Sequence, residues 1–480
     1  MFDLLALACG LVVAAVALTT YFRYGDAFHP AVFIAPLMFA GYCLWPLVLN
    51  RSGDLEFLLG SEDSARVQGY YLAGLTAFFL SLSSGSSQRL LRQRQLSPWQ
   101  SLLSTVRGQQ ARRKLMKLAM LLSCVALAAY WYSILNAGGF DLAYSRYKGG
   151  GYAESGYVGE AALLAYPAVL IYALTRQGKG FGPIDWLLVL AMISPNLFQG
   201  TFGVRRGPLF ISLAILFVSW VVARGRVPGL VRTVLVVASI LLAVGFVWTQ
   251  RQVWFSDDPA AEGRSGLGST FLPSTDELWQ NDYVSGMGSA LITEYYDEYF
   301  WGKRWFVDLV IRPIPRQIWP NKYADVGAHW KEGANPTGFD ELAQIHVLGF
   351  PLPSGHSIGV LSDLYSEWSW GALFFLALLG WFLRWLWFKH RTIGQVWTVL
   401  FLVAIGLCVY LPTQSFSAFY QRFLIMAIGS FVAWRWVVGK DVRATREATS
   451  AVLDEPLPDH GQGLGSGRRA PAVSGGRRIR

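Results

Sequence analysis

The feature that most limits what this chain can fold into is a series of long apolar runs, since a helix needs about 20 mostly apolar residues to cross a bilayer. Such runs begin near Phe2, Ala31, Val67, Leu115, Val158, Ile184, Pro208, Leu230, Trp368, Val396 and Phe419, which is about eleven spans by that length. The third, "VQGYYLAGLTAFFLSLSSG", is the least apolar. Only 15% of the 480 residues are charged and 53% are hydrophobic, whereas soluble domains carry about 25% charged residues. The chain therefore reads as an all-α polytopic integral membrane protein. Aromatic clusters such as Trp45, Trp131-Tyr132, Trp248 and Trp434 with Trp436 fall at run ends, where amphipathic rings anchor at the interface or pack between helices. The first run opens "MFDLLALACG" with no Lys or Arg ahead of it, the pattern of a retained span and not of a secretory signal. All four cysteines lie inside apolar runs, so neither a disulfide framework nor a metal cluster is implied.

Lysine and arginine fix the orientation, because they concentrate in cytoplasmic connections. The connection near 88–114, "QRLLRQRQLSPWQSLLSTVRGQQARRKLMK", is strongly basic. Alternation from it puts Arg176 to Gly180, Ala223 to Gly229, Lys389 to Gly394 and the Arg-rich tail on the same cytoplasmic side, with the amino terminus outside. The net charge of +10 follows from these segments and does not imply nucleic acid. Four regions result: 1–249 with eight spans, a large outer loop over 250–367, three further spans over 368–438, and a Gly-, Pro- and Arg-rich tail over 439–480 expected to be disordered.

Arg205 and Arg206, in "NLFQGTFGVRRGPLFISL", then emerge on the outer face against the charge bias. An arginine pair at a span end can snorkel to lipid phosphate, but this pair has company. The outer loop carries Arg251, Lys303, Arg304, Arg312, Arg316 and Lys322, acids at Glu294, Asp297, Glu298 and Asp308, and histidines at His329, His346 and His356. Arg146, Lys148 and Arg422 add further outer cations. The guanidinium fork binds phosphate bidentately and keeps its charge in a low dielectric, so convergence of several would make a pocket for a doubly charged phosphate group; the alternative is pairing with the loop's carboxylates. A loop this long exceeds ordinary connections, and its helical spacing and prolines predict one or two short helices lying against the outer surface or capping a cavity. The chain has no HExxH, P-loop or GxGxxG, so no metal, nucleotide or other cofactor is expected.

"PLPSGHS" carries the Pro-Ser-Gly-His of membrane acid phosphatases at Pro353 to His356, and Arg312-Pro313 resembles an element of their first motif. The third motif fails: Leu383 and Gly394 stand where its Ser and Asp belong, although Arg384 and His390 keep its spacing. Without the acid, a nucleophilic histidine has no orienting partner.

The order of features from Lys114 to Val438 resembles the O-antigen and exopolysaccharide repeat-unit polymerases of the Wzy type. The resemblance is carried by "GVRRGPLF" entering a span, Arg251 in "WTQRQ" after the next one, the outer loop with "RPIPRQIWPNK", and "GVLSDLYSEWSWGALFFLALLG" before a span, with Asp363 where many members have Glu. It implies a polytopic glycosyltransferase (GT-C-like) fold in the bacterial inner membrane with the site on the periplasmic face. It also implies transfer of a growing glycan from undecaprenyl pyrophosphate to the next lipid-linked repeat unit, without a cofactor. Donor and acceptor lipid-linked glycans, membrane lipids and a chain-length regulator are the partners implied.

For this chemistry Arg205, Arg206, Arg251, Arg312, Arg316 and Arg422 are the candidates to stabilise the pyrophosphate leaving group. His356, Asp297 and Glu298 are the candidate bases for the attacking hydroxyl; the alternative for the two acids is pairing with Lys303 and Arg304. Competing readings are an O-antigen ligase and, from another class, a lipid-linked oligosaccharide flippase. A ligase defect removes all glycan from lipid A, where a polymerase defect leaves one unit. A transporter tolerates deletions in the large loop.

Overall fold

The computed structural model describes residues 1–53, 55, 59–84, 109–144, 157–203, 205–225, 282–312, 314, 318–328, 338–352, 358–394 and 396–437. Regular structure among these residues is helical, with no strand. The main helices are α1 (Phe2–Tyr24), α2 (Ser61–Ser83), α3 (Gln109–Asn136), α4 (Ala165–Thr175), α5 (Pro183–Thr201), α6 (Arg206–Arg224), α7 (Asp282–Tyr296), α8 (Glu341–Leu348), α9 (Gly359–Trp368), α10 (Ala372–Thr392), α11 (Val396–Leu407) and α12 (Phe416–Val437). Between α1 and α2 the chain makes a broken helix in pieces, Pro30–Phe33, Ala35–Phe39, a π turn at Ala40–Leu44, and Trp45–Arg51. Pro36 and Pro46 each fall in the first turn of a piece, where a missing N–H costs least.

Among the described residues, six helices are long and apolar enough to cross a membrane: Phe2–Tyr24, Arg112–Asn136, Val158–Thr175, Gly207–Arg224, Gly359–Thr392 and Phe416–Trp436. They mark the chain as membrane-embedded. The runs from Ala31, Val67, Ile184 and Val396 are helical in shorter or more polar form. The run from Leu230 lies outside the described residues, as do most of the basic connection (85–108), Arg146, Lys148 and the tail. A lipid-facing stripe is visible on α1, where Leu4, Leu11, Leu18 and Phe22 are exposed while Phe2, Ala6, Cys9 and Val13 on the opposite side are buried.

Close approach between helices depends on small residues. A Cβ on Gly380 of α10 would sit 2.5 Å from the Phe78 carbonyl oxygen of α2, and one on Gly74 would sit 2.9 Å from Leu376. Ser81 Oγ donates to the Ala377 carbonyl and Arg384 Nη1 donates to Ser84 Oγ over 3.3 Å, so contacts advance in the same direction along both helices. On the other side of α2, Gln68 Nε2 donates to Cys9 Sγ of α1 at 3.4 Å and to the Tyr42 carbonyl at 3.1 Å. At the far end Tyr24, which closes α1, packs on Trp387 at 5.1 Å. Thus α1, α2 and α10 are parallel, and they begin at one face of the bundle, its entry face.

The outer-loop segment differs from a helix lying on the surface. Residues Tyr283 to Thr293 of α7 are buried throughout. Its small residues let it seat against α9: a Cβ on Gly286 would lie 2.5 Å from the Ile358 carbonyl, and Thr293 Oγ1 donates to Ser366 Oγ at 3.1 Å. Tyr283 Oη also donates to Gln68 of α2. The 367/368 boundary falls at a break in an apolar helical stretch that begins at Gly359: Ser369, with φ 50°, turns the chain from α9 into α10.

Gly380→Leu forces a side chain into the α2 backbone and is expected to cost about 1–3 kcal/mol or more, seen as a lower unfolding temperature of the detergent-purified protein. Gly69→Ala, where nothing lies within 4 Å of the new Cβ, should leave that temperature unchanged or raise it, since alanine favours helix.

Candidate functional site

Three sequence-distant arginines meet at the entry face. Arg205 is the N-cap of α6, in extended conformation, and its N–H donates to the Gly200 carbonyl at 3.0 Å. The corner is tight, since a Cβ on Gly200 would lie 2.7 Å from Leu209 N. In the first turn of α6, a Cβ on Gly207 would lie 2.5 Å from Tyr410 Oη, so only glycine lets the Tyr410 phenol settle beside Arg205. Arg422 of α12 lies over the same phenol, its guanidinium carbon 4.9 Å from the ring centroid, while its Nη1 donates to the Ala418 carbonyl at 3.1 Å. Arg205 and Arg422 both act electrostatically on the Tyr410 hydroxyl, as does Glu160.

Arg312 enters from the outer loop. Its Nη1 donates to Gln421 Oε1 at 3.2 Å and its Nη2 to Glu160 Oε1 at 3.3 Å. The turn that presents it is held by Lys322, buried, whose Nζ donates to the carbonyls of Ile311 at 3.2 Å, Arg312 at 2.9 Å and Ile314. Arg422 is further within electrostatic reach of Tyr166 and Asp308, and Tyr166 Oη donates to the Pro208 carbonyl at 3.1 Å. Among the described residues, three guanidinium groups thus gather with two carboxylates, Glu160 and Asp308.

The floor of the cluster, Tyr410 and Arg422, is recessed. The 12 residues of α11 and 3 of the following turn, ending at Tyr410, cover about 24 Å, about 6 Å short of the ~30 Å hydrocarbon core. Arg422 stands six residues after Phe416, about 9 Å into α12. The two counts agree on a floor below the entry face.

Beside the cluster lies a fully engaged ion triad. Arg304 is 5% exposed, Asp363 4% and Glu367 0%. Arg304 Nε donates to Glu367 Oε1 at 2.5 Å and Nη2 to Asp363 Oδ1 at 3.1 Å and to its carbonyl at 3.0 Å. The second oxygens are used too: Gly302 N–H donates to Glu367 Oε2 at 2.8 Å and Phe416 N–H to Asp363 Oδ2 at 2.9 Å. Burial works against the Arg304 charge, but the two carboxylates outweigh it and hold its pKa above the usual arginine value. These groups fix the outer loop to α9 and α9 to α12.

Of the residues singled out in the sequence, Arg205, Arg312 and Arg422 are brought together. Arg206 begins α6, and its side chain is not described; Arg251, Arg316 and His356 lie outside the described residues. Asp297 and Glu298 are exposed at the end of α7, and Arg304 pairs with Asp363 and Glu367 instead of with them. His390 is buried, bonded to Thr398 Oγ1 at 2.9 Å and stacked on Phe401, at the end of α10 opposite Arg422. Glu160, Tyr410 and Gln421 were not anticipated. Only Glu160 carries a signal, as a lone carboxylate entering an apolar run. No group of three or more His, Cys, Asp or Glu side chains suited to a metal occurs among the described residues. No protein-family model, curated protein or solved structure matches the chain.

Arg304→Met strands two buried carboxylates and is expected to lower stability by about 3–5 kcal/mol. Adding Asp363→Asn and Glu367→Gln should recover part of the loss; thermal unfolding of the three proteins in one detergent measures both effects.

Proposed function

We propose that this chain is an oligosaccharide repeat-unit polymerase of the bacterial inner membrane, acting on undecaprenyl-pyrophosphate-linked glycans at the periplasmic face. The observation that carries the reading is the convergence of Arg205, Arg312 and Arg422 on Tyr410 and Glu160, recessed below the entry face. A pyrophosphate at the head of a lipid sits at the outer edge of the hydrocarbon, within reach of such a floor, and arginine is the side chain suited to it.

In the reaction, the bond from the anomeric carbon to the pyrophosphate oxygen breaks, and its electron pair leaves with the lipid pyrophosphate. A hydroxyl oxygen of the acceptor sugar forms the new bond to that carbon and gives up its proton. The leaving group gains charge as the bond breaks, so guanidinium groups fixed in advance stabilise the transition state more than the ground state. Lys322 and Gln421 hold Arg312 in place, and Tyr410 holds Arg422. Glu160 is engaged by Arg312, which leaves proton removal to His356, Asp297 or Glu298. The donor brings its own activation in the sugar-pyrophosphate bond, and a chain-length regulator would act from outside the site.

Purified protein given lipid-linked repeat units from its host, with a chelator present, should yield a glycan ladder spaced by one repeat. Arg422→Gln and Arg312→Gln should each slow ladder growth by about 100-fold or more, with normal protein levels, and Arg205→Ala with Arg206→Ala should do the same. Phosphate release without a ladder would instead support the phosphatase motif. An unchanged glycan would shift the reading to ligase or transporter, and full activity of the arginine variants would sink the role given to the cluster.

A further inference from the structure

A second feature of the entry face is a row of aromatic rings. Trp301 lies 5.9 Å from Tyr299, Tyr299 6.0 Å from Tyr365, and Tyr365 6.5 Å from Trp370, centroid to centroid. The two ends are open: Trp301 is 64% exposed and Trp370 56%. Tyr299 and Tyr365, between them, act on each other electrostatically.

The backbone here is strained. Asp297, Trp301 and Ser369 are the non-glycine residues with positive φ among the described residues, at 51°, 50° and 50°, and all three lie at this junction. For a side chain as bulky as tryptophan that conformation is an outlier, and such strain gathers at sites of function. It is imposed by α9: Phe300 N–H donates to the Ser366 carbonyl at 3.1 Å, Trp301 N–H to the Glu367 carbonyl at 2.8 Å, and Gly302 N–H to Glu367 Oε2 at 2.8 Å. The result aims an indole outward from a rigid base.

The rim shows what covers these rings. Arg66 pairs with Asp63 at 2.9 Å and Glu294 at 3.1 Å, Arg66 and Glu294 act on Tyr365, and Asp297 and Glu298 are exposed next in the chain. The lipid-facing stripe of α1 has no such charges, so the row faces water. Four carboxylates against Arg66 and Lys303 leave the rim acidic and disfavour an anion, while apolar faces beside hydrogen-bonding edges match a sugar ring, which presents C–H groups on its faces and hydroxyls around them.

We propose that the row Trp301, Tyr299, Tyr365 and Trp370 is a saccharide-binding subsite, holding sugar rings of the substrate by their C–H faces while Arg66, Glu294 and the exposed acids take hydroxyl groups. The assignment rests on the reading of the substrate as a lipid-linked glycan, with its pyrophosphate at the arginine cluster.

The probe is the free repeat-unit oligosaccharide, released from its lipid by mild acid and titrated calorimetrically into the purified full-length protein. Trp301→Ala and Trp370→Ala should each weaken binding at least tenfold, while Arg422→Gln should bind as the parent does. Trp301→Gly separates binding from folding. Glycine takes positive φ without strain, so its unfolding temperature should hold or rise while binding falls as in Trp301→Ala. Absence of oligosaccharide binding by the parent protein would overturn the subsite. So would parent-like affinity in Trp301→Gly and Trp370→Ala, and with a normal ladder this would leave the polymerase reading standing. Strong quenching of Trp301 by brominated phospholipid in nanodiscs, measured against Trp301→Phe, would make it a membrane anchor and also overturn the subsite. Tryptophan-dependent oligosaccharide binding without any ladder would support the subsite and sink the polymerase reading.

Discussion

A guanidinium taken out of water must find its counter-charges at close range, and the entry face of this protein is organised by one that does. Arg304 reaches Glu367 and Asp363 together, and each carboxylate spends its other oxygen on a backbone N–H, of Gly302 and of Phe416. Three segments far apart in sequence are thereby tied at one point. The value of the arrangement lies less in net stability, which buried ion pairs supply poorly, than in geometry, because no neighbouring register satisfies all the groups. Its satisfaction also argues against a direct chemical role: neither carboxylate has an oxygen left over for a substrate.

The arginine cluster nearby is built on the opposite principle. There, among the described residues, the cations outnumber the acids, and several of their contacts go to neutral groups: Arg312 to Gln421, Arg422 to the Ala418 carbonyl and the Tyr410 ring. Neutral partners fix a guanidinium's direction without cancelling its charge. The short α11 gives the cluster its depth, since a helix that ends at Tyr410 leaves its last turn below the surface, and Gly207 is the position that lets the phenol close against α6. In a low dielectric such charge is felt strongly, which is why the triad must close on itself and the cluster invites an anion.

The sequence made the membrane character and the helical class legible, because apolar run length and charge placement report them directly. Arg205 and Arg422 at span ends and Arg312 in the outer loop stood out for a physical reason as well, as cations on the side where the charge bias disfavours them. What could not be read was contact order. Nothing local pairs Arg304 with α9 and not with the adjacent Glu298, and nothing in "DYVSGMGSALITEYY" separates a surface helix from a buried one, since its small and hydroxyl residues acquire meaning only against Ser362 and Ser366 of α9. Tyr410 and Gln421 look like ordinary interface and span residues until the helices are packed.

Charge separates the two regions of the entry face, and the triad between them sets their spacing. Glu367 closes the triad and also holds Trp301 and Gly302 through its carbonyl and carboxylate, while Asp363, one turn earlier on α9, holds the first turn of the helix that carries Arg422. The arginine cluster and the acidic aromatic row are therefore anchored on the same face of one short helix. An amphipathic ligand with an anion at one end and hydroxyl-bearing rings at the other meets opposite preferences at the two places, so its reversed orientation is opposed at both. Because α9 is rigidly held at each end, a shift of either region by about an ångström would have to break a buried charge-assisted hydrogen bond, worth roughly 1.5–3 kcal/mol. The strain stored at Trp301 is the counterpart of that rigidity: a base that yielded would let the indole relax to an ordinary backbone conformation and turn away from the row.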